Sequence, residues 1–207
     1  MNKRLAVVLA LWVAAMAAAG PYDYAVSEAV TGLTPRLAEW VRHYGEWPAW
    51  VVALCCLPLV RRHRPARATV ALALLHPMLV TQSLKVLWGR VRFRDLASAA
   101  EYTPFWHPGG AGDSFPSGHV AMSTVLLPLA LFAWRRGHRW VLPLAVAYVS
   151  VVCWGRVAAG AHYLTDCLFS AGFGLVLAMV LPTGSRPLVP EPDRFSARRP
   201  PEPVPSR

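Results

Sequence analysis

A chain of 207 residues, 55% hydrophobic and only 15% charged, carrying 21 Lys and Arg against 11 Asp and Glu for a net charge of +10, is either one soluble domain or a compact bundle of membrane helices. The apolar residues gather in long runs and the basic ones in the short stretches between them. That grouping selects the bundle and excludes a nucleic-acid binder, whose cations would stripe a polar face.

Leu5–Ala19 is the first apolar run. Lys3-Arg4 ahead of it and Ala17-Ala18-Ala19 at its end also fit a cleavable secretory leader, a reading that leaves the topology of the later segments unchanged. Thr34-Pro35 then opens a short helix that ends at Gly45, with Leu37, Trp40, Val41 and Tyr44 on one face, and this helix is expected to lie on the outer interface as a linker. The runs Trp50–Val60, Ala68–Trp88, Val120–Trp134, Trp140–Trp154 and Cys167–Leu181 follow. A spanning helix takes about 20 residues, so with their flanks the runs make about six spans.

Pro77 and Pro128 interrupt two of the runs, as neighbouring helices in a bundle allow. His76, beside the first, reads as a packed and hydrogen-bonded residue. Trp47, Trp50, Trp88, Trp134, Trp140 and Trp154 fall near span ends, where indole rings settle among headgroups. Cys55, Cys56, Cys153 and Cys167 are in spans or near helix ends, read as small packing residues, and make no disulfide framework. Gly109-Gly110-Ala111-Gly112 follows no strand and reads as a flexible outer loop. From Pro182 the chain is rich in Pro and Arg and too poor in apolar residues to fold. The expected fold is therefore all-α: one polytopic membrane domain over residues 1–182 and a disordered cytoplasmic tail over 183–207.

Asn2-Lys3-Arg4, Arg61-Arg62-His63-Arg64, Arg135-Arg136-Gly137-His138-Arg139 and the Arg-bearing tail all fall on one side of the spans. Positive loops stay in the cytoplasm, so the stretches 22–47, 90–117 and 157–166 face outward. The residues suited to chemistry are on that outer side. Lys85, Arg90, Arg92 and Arg156 sit at span ends, and any one of them alone could simply snorkel to the headgroups. Together they either repel one another or share an anion, and phosphate takes bidentate bonds from guanidinium and a point contact from ammonium. Ser117-Gly118 at a helix start adds backbone N–H groups to the same cradle.

His162 and Asp166 stand four apart, so on a helix the carboxylate would hold the imidazole in the tautomer that leaves the other nitrogen free to attack. His119 supplies a separate acid for the departing oxygen. A metal site built from His119, His162, Asp166 and Asp113 is the rival reading. It lacks a His-Glu-x-x-His or cysteine-pair spacing, and nearby cations disfavour it, so neither metal nor cofactor is expected. Gly155 and Gly160 have P-loop spacing but are followed by Ala161-His162, not by Lys-Ser/Thr.

Three phrases then stand in order: Lys85-Val-Leu-Trp-Gly-Arg-Val-Arg92, Pro116-Ser117-Gly118-His119, and Gly155-Arg156 through His162 to Asp166. Jointly they resemble the type 2 phosphatidic acid phosphatase (PAP2) superfamily of membrane lipid phosphatases. The resemblance implies a six-helix bundle and a metal-independent enzyme acting on a lipid phosphate whose tail stays in the bilayer. It further implies that Lys85, Arg92 and Arg156 bind the phosphoryl oxygens with Ser117 and Gly118, that His162 forms a phosphohistidine oriented by Asp166, and that His119 is the acid. Phe93 replaces the family's usual proline and Gly155 its serine. The resulting expectation is a multi-pass inner-membrane phosphatase with its site facing the periplasm or exterior, the membrane and a lipid phosphate as its partners, no nucleic acid, and an oligomeric state left open. The alternatives are an anion or lipid-phosphate transporter and an intramembrane serine protease using Ser117 and His162; the protease would not need the cations, and Ser117 lacks a Gly-x-Ser-Gly setting. A soluble haloperoxidase shares the motif family, but the apolar runs argue against it.

Overall fold

The computed structural model describes residues 3–181, so the expected tail lies outside the described residues. Among these there is no strand, and the chain folds as α1 (Lys3–Ala19), α2 (Asp23–Val30), α3 (Pro35–Tyr44), α4 (Trp47–Cys56), α5 (Arg64–Ala73), α6 (Gln82–Trp88), α7 (Gly118–Ser123), α8 (Leu127–Arg135), α9 (Val141–Ala158) and α10 (Leu164–Val180). Several of these join into rods. A 3-10 step at Gly20–Tyr22, where Pro21 cannot donate a backbone bond, links α1 to α2. A π-helical stretch over Leu74–Thr81, wound around Pro77, links α5 to α6. A 3-10 turn at Thr124–Leu126 links α7 to α8 just before Pro128.

Lys3–Val30, Arg64–Asp95, Gly118–Arg135 and Val141–Ala158 are long and apolar enough to cross a membrane. The other two expected spans are shorter: α10 has 17 residues, and α4 has 10 before the 3-10 turn Leu57–Leu59. The protein is thus an all-α, multi-span membrane bundle. Connectivity puts the starts of α5 and α9 and the end of α8 at one end. The ends of α6 and α9 and the starts of α4, α7 and α10 lie at the other.

Small residues let these rods approach closely, as is usual where lipid removes the hydrophobic drive between helices. One core joins Ala49, Ala53, Leu72, Ala73, Met122, Val125, Ala130, Ala145 and Ala178. A second joins Val41, Val120, Val149, Val152, Val157 and Cys167. Trp12 of α1 packs on Phe169 of α10 with ring centroids 5.5 Å apart and donates its indole N–H to the Leu168 carbonyl at 3.1 Å. His76 is fully buried. Its Nδ1 lies 3.3 Å from Thr124 Oγ1, whose own proton goes to the Ala121 carbonyl, so the ring is the donor, as expected of a packed histidine.

Two expectations need correction. The apolar face read for α3 splits in the structure: Val41 and Ala38 are buried, whereas Trp40 and Tyr44 are 45% and 54% exposed. Thr34 makes no side-chain cap; its hydroxyl accepts from Trp154 Nε1 of α9 at 3.1 Å, so α3 is docked on the bundle and is no bare linker. The glycine-rich loop is also packed. A Cβ on Gly89 would stand 1.8 Å from the Gly110 carbonyl oxygen, so only glycine permits this crossing of two backbones. All four cysteines are free.

Candidate active site

The site is assembled where helices stop. Gly89 closes α6 in the left-handed conformation, with φ 61°, and the chain turns so that backbone bonds pair it with the glycine loop. Gly109 donates to the Trp88 carbonyl at 3.0 Å, Gly112 to Gly89 at 2.8 Å and Ser114 to Arg90 at 2.8 Å. This pairing carries Asp113 to the cations. Its Oδ2 lies 2.6 Å from Arg92 Nη2 and 3.8 Å from Lys85 Nζ. Arg92 itself is held in place by its neighbours: Phe93 packs edge-on against Tyr24 at 5.5 Å, and the Arg94 N–H donates to the Gly160 carbonyl at 3.0 Å. The aromatic that replaces the usual proline therefore anchors the turn by contact.

His162 follows from the end of α9. Gly160, with φ 61°, reverses the chain after Ala158, and Tyr163 becomes the N-cap of α10. His162 therefore lies in the turn before that helix and does not share a helical face with Asp166. Asp166 occupies the third helical position and accepts from the Tyr163 N–H at 2.9 Å, the carboxylate half of a capping box. The His162 ring is 2% exposed. Its Nδ1 lies 2.6 Å from the Ser114 carbonyl and 3.9 Å from Asp166 Oδ2. A carbonyl only accepts, so Nδ1 carries the proton and Nε2 the free lone pair. The tautomer expected from Asp166 is set directly by a backbone oxygen. Ser114 links the two, since its hydroxyl donates to Asp166 Oδ2 at 2.5 Å.

Burial first, and then the Arg156 and Lys85 cations with Arg92 beyond them, push the His162 imidazolium well below its ordinary range. The cations expected around one anion thus act on one ring. They also keep donors in reserve. Ser117 Oγ, Arg92 Nε and Arg156 Nε are buried with no hydrogen-bond partner in the protein, whereas buried polar groups are ordinarily satisfied. The Ser117 N–H is engaged, donating to the Asp166 carbonyl at 3.3 Å. Gly118 opens α7, and a Cβ there would meet nothing of the protein nearer than Thr81 Cγ2 at 4.0 Å. His119, next along α7, contacts Glu46 Oε1 through Nδ1 at 3.0 Å and the Arg42 carbonyl through Nε2 at 3.2 Å.

Asp23, Ser114 and Glu46 were not singled out from sequence, and Arg90, grouped there with the anion-sharing cations, is committed to carboxylates instead. Arg90 is fully buried and reaches Asp166 Oδ1 at 2.6 Å, Asp23 Oδ2 at 2.9 Å and the Thr103 carbonyl at 2.9 Å, with its guanidinium 3.9 Å from the Tyr163 ring centroid. Its place two residues before Arg92 was a signal. Asp23 and Glu46 stand in unremarkable local sequence, and Ser114 acts in part through its main chain. Gly155 is explained by packing: a Cβ there would fall 2.6 Å from Val41 Cγ2 of α3. Among the described residues no three His, Cys, Asp or Glu side chains converge as metal ligands.

The family profile described as PAP2 superfamily matches residues 66–187, more than half of the chain. A crystal structure described as the first transmembrane PAP2 type phosphatidylglycerolphosphate phosphatase from Bacillus subtilis superposes with a TM-score of 0.62 at 21% identity, over 87% of this chain and 94% of that one. That likeness speaks to the fold. No curated protein matches the chain in sequence.

Proposed function

This chain belongs to the PAP2 superfamily, and from that premise we propose that it is a metal-independent membrane phosphatase that hydrolyses a lipid phosphomonoester or an isoprenoid diphosphate through a phosphohistidine. The observation that carries the reading is the His162 ring. Its Nδ1 is tied to the Ser114 carbonyl, its lone pair is kept free by burial and by the Arg156 and Lys85 cations, and Ser117 Oγ, Arg92 Nε and Arg156 Nε stand with hydrogen-bonding capacity to spare.

In the proposed reaction Lys85, Arg92, Arg156, Ser117 and Gly118 hold the phosphoryl oxygens. His162 Nε2 forms a bond to phosphorus as the bond to the lipid oxygen breaks, and His119 gives that oxygen its proton. Water then attacks phosphorus, His119 takes back a proton, the phosphorus–nitrogen bond breaks and inorganic phosphate leaves. Asp166 positions His162 through Ser114. The grouping of basic residues at the opposite helix ends supports a site on the periplasmic or exterior face of the inner membrane. Phosphatidic acid, phosphatidylglycerol phosphate, undecaprenyl diphosphate and lipid A phosphate share the chemistry.

The test is phosphate release by purified protein from each of these lipids with chelator present. Wild type is expected to turn over at least one of them and to form an acid-labile phosphoenzyme. His162→Ala is expected to lose about 10³-fold or more and to form no phosphoenzyme, because it lacks the attacking nitrogen. Turnover that requires added divalent metal, or full turnover by the variant, overturns the mechanism.

A further inference from the structure

His119 is held by groups from outside the matched residues 66–187. Its Nδ1 lies 3.0 Å from Glu46 Oε1 and its Nε2 lies 3.2 Å from the Arg42 backbone carbonyl. A carbonyl has no proton to offer and neither has an ionised carboxylate, so each ring nitrogen must be the donor. Both can donate only when the ring is an imidazolium. The bond to His119 draws the Glu46 carboxyl below the ordinary range although burial works the other way, so Glu46 accepts from the ring as a carboxylate.

We propose that Glu46 is a positioning residue for the phosphatase reaction: through Nδ1 it fixes the His119 ring and keeps it charged, with the Nε2 proton aimed at the oxygen that leaves phosphorus. The proposal rests on the phosphatase reading. The Arg42 carbonyl is the resting acceptor, and the departing oxygen takes its place. When the phosphorus–oxygen bond breaks, the proton passes from Nε2 to that oxygen and the ring is left neutral, still donating through Nδ1 to Glu46. When water attacks the phosphohistidine, Nε2 takes one of its protons and the imidazolium is restored.

Local architecture favours this role over that of a passing surface pair, which contributes little. Glu46 is the N-cap residue of α4, and the Gly45 carbonyl before it accepts from the Tyr148 hydroxyl of α9, which pins the junction of α3 and α4. The charged and titratable groups that face Glu46 are His119 of α7, Arg156 of α9 and Tyr148 of α9. Glu46 therefore contacts the proposed acid directly and feels the charge of a proposed phosphate ligand. The other carboxylates near the site are committed elsewhere, Asp113 to Arg92 and Lys85 and Asp166 to Arg90.

Wild type, Glu46→Gln and Glu46→Asp are compared in detergent on an alkyl phosphate, whose leaving oxygen needs a proton, and on a nitrophenyl phosphate, whose leaving oxygen does not. Glu46→Gln is expected to slow the alkyl ester about 10- to 100-fold and the aryl ester about threefold or less, with the basic limb of kcat/KM moved to lower pH and partial recovery in Glu46→Asp. Equal slowing of both esters, or an unmoved limb, overturns the proposal. Ring ¹⁵N signals supply a readout independent of turnover, with His119 identified by its loss in His119→Asn. At one and the same pH wild type should show more of the doubly protonated ring than Glu46→Gln; the same state in both proteins overturns the proposal. An inactive wild type defeats the phosphatase reading, while the ring signals still decide the part played by Glu46.

Discussion

His162 owes its neutral, Nδ1-protonated form to a main-chain oxygen and to its own burial. A ring held neutral in this way makes stability depend on pH, and the sign follows from linkage. The folded ring refuses a proton that the unfolded chain accepts below about 6.5. Between that value and the depressed folded value the unfolded state binds more protons, so stability from this group is intact above about 6.5 and is lost as pH falls below it, by up to about 1.4 kcal/mol per pH unit. Unfolding in detergent at about pH 7.5 and about pH 5.5 is therefore expected to show a larger acid loss for wild type than for His162→Asn. Equal losses would show that the ring does not carry the effect. Lys85, Arg92, Arg156, Ser117, His119 and His162 were legible at this scale, because span ends and motif spacing single out such side chains. The Ser114 carbonyl was not, since a backbone atom has no residue-type signal, and the share assigned to Asp166 passes partly to it.

At the scale of elements, the meeting of α3 with α9 accounts for the missing serine. Val41 is fully buried and lies where a side chain at position 155 would go. Gly155→Ser, which restores the residue usual in the family, is expected to lower stability by about 1–3 kcal/mol through overpacking. Val41→Ala should relieve the clash, so the double variant should lose less than the two single losses added together. Thermal unfolding of the four proteins measures this coupling, and strict additivity would refute it. Periodicity located α3 correctly, with Pro35 opening it and Gly45 closing it. It put Leu37, Trp40, Val41 and Tyr44 on one face without saying which of them the bundle covers, since nothing in their pattern says that a glycine on a distant helix has made room for the valine alone.

For the molecule as a whole, residues before the matched segment are tied to it by buried charge. Asp23 of α2 accepts from the Thr165 N–H of α10 at 2.9 Å and from Arg90 at 2.9 Å, and all of these groups are shielded from solvent. Removing one member of such a cluster leaves the rest uncompensated. Asp23→Asn is expected to destabilise the bundle by about 3–5 kcal/mol, measured as a fall in unfolding free energy; a loss under about 1 kcal/mol would mean that solvent reaches the cluster. The membrane architecture was legible from the alternation of apolar runs and basic loops, which is a property of the chain's length. The Asp23–Arg90 pair was not, because its members are 67 positions apart and an acidic residue after an apolar run reads as ordinary punctuation.

Asp113 already bridges Arg92 and Lys85. An arriving phosphate therefore exchanges with a resident carboxylate, and the net electrostatic gain is a difference between two ligands of the same sign. Because the rival is tethered it is never diluted, so it weakens the binding of a phosphate headgroup and of inorganic phosphate alike, whatever hydrocarbon chain the headgroup carries.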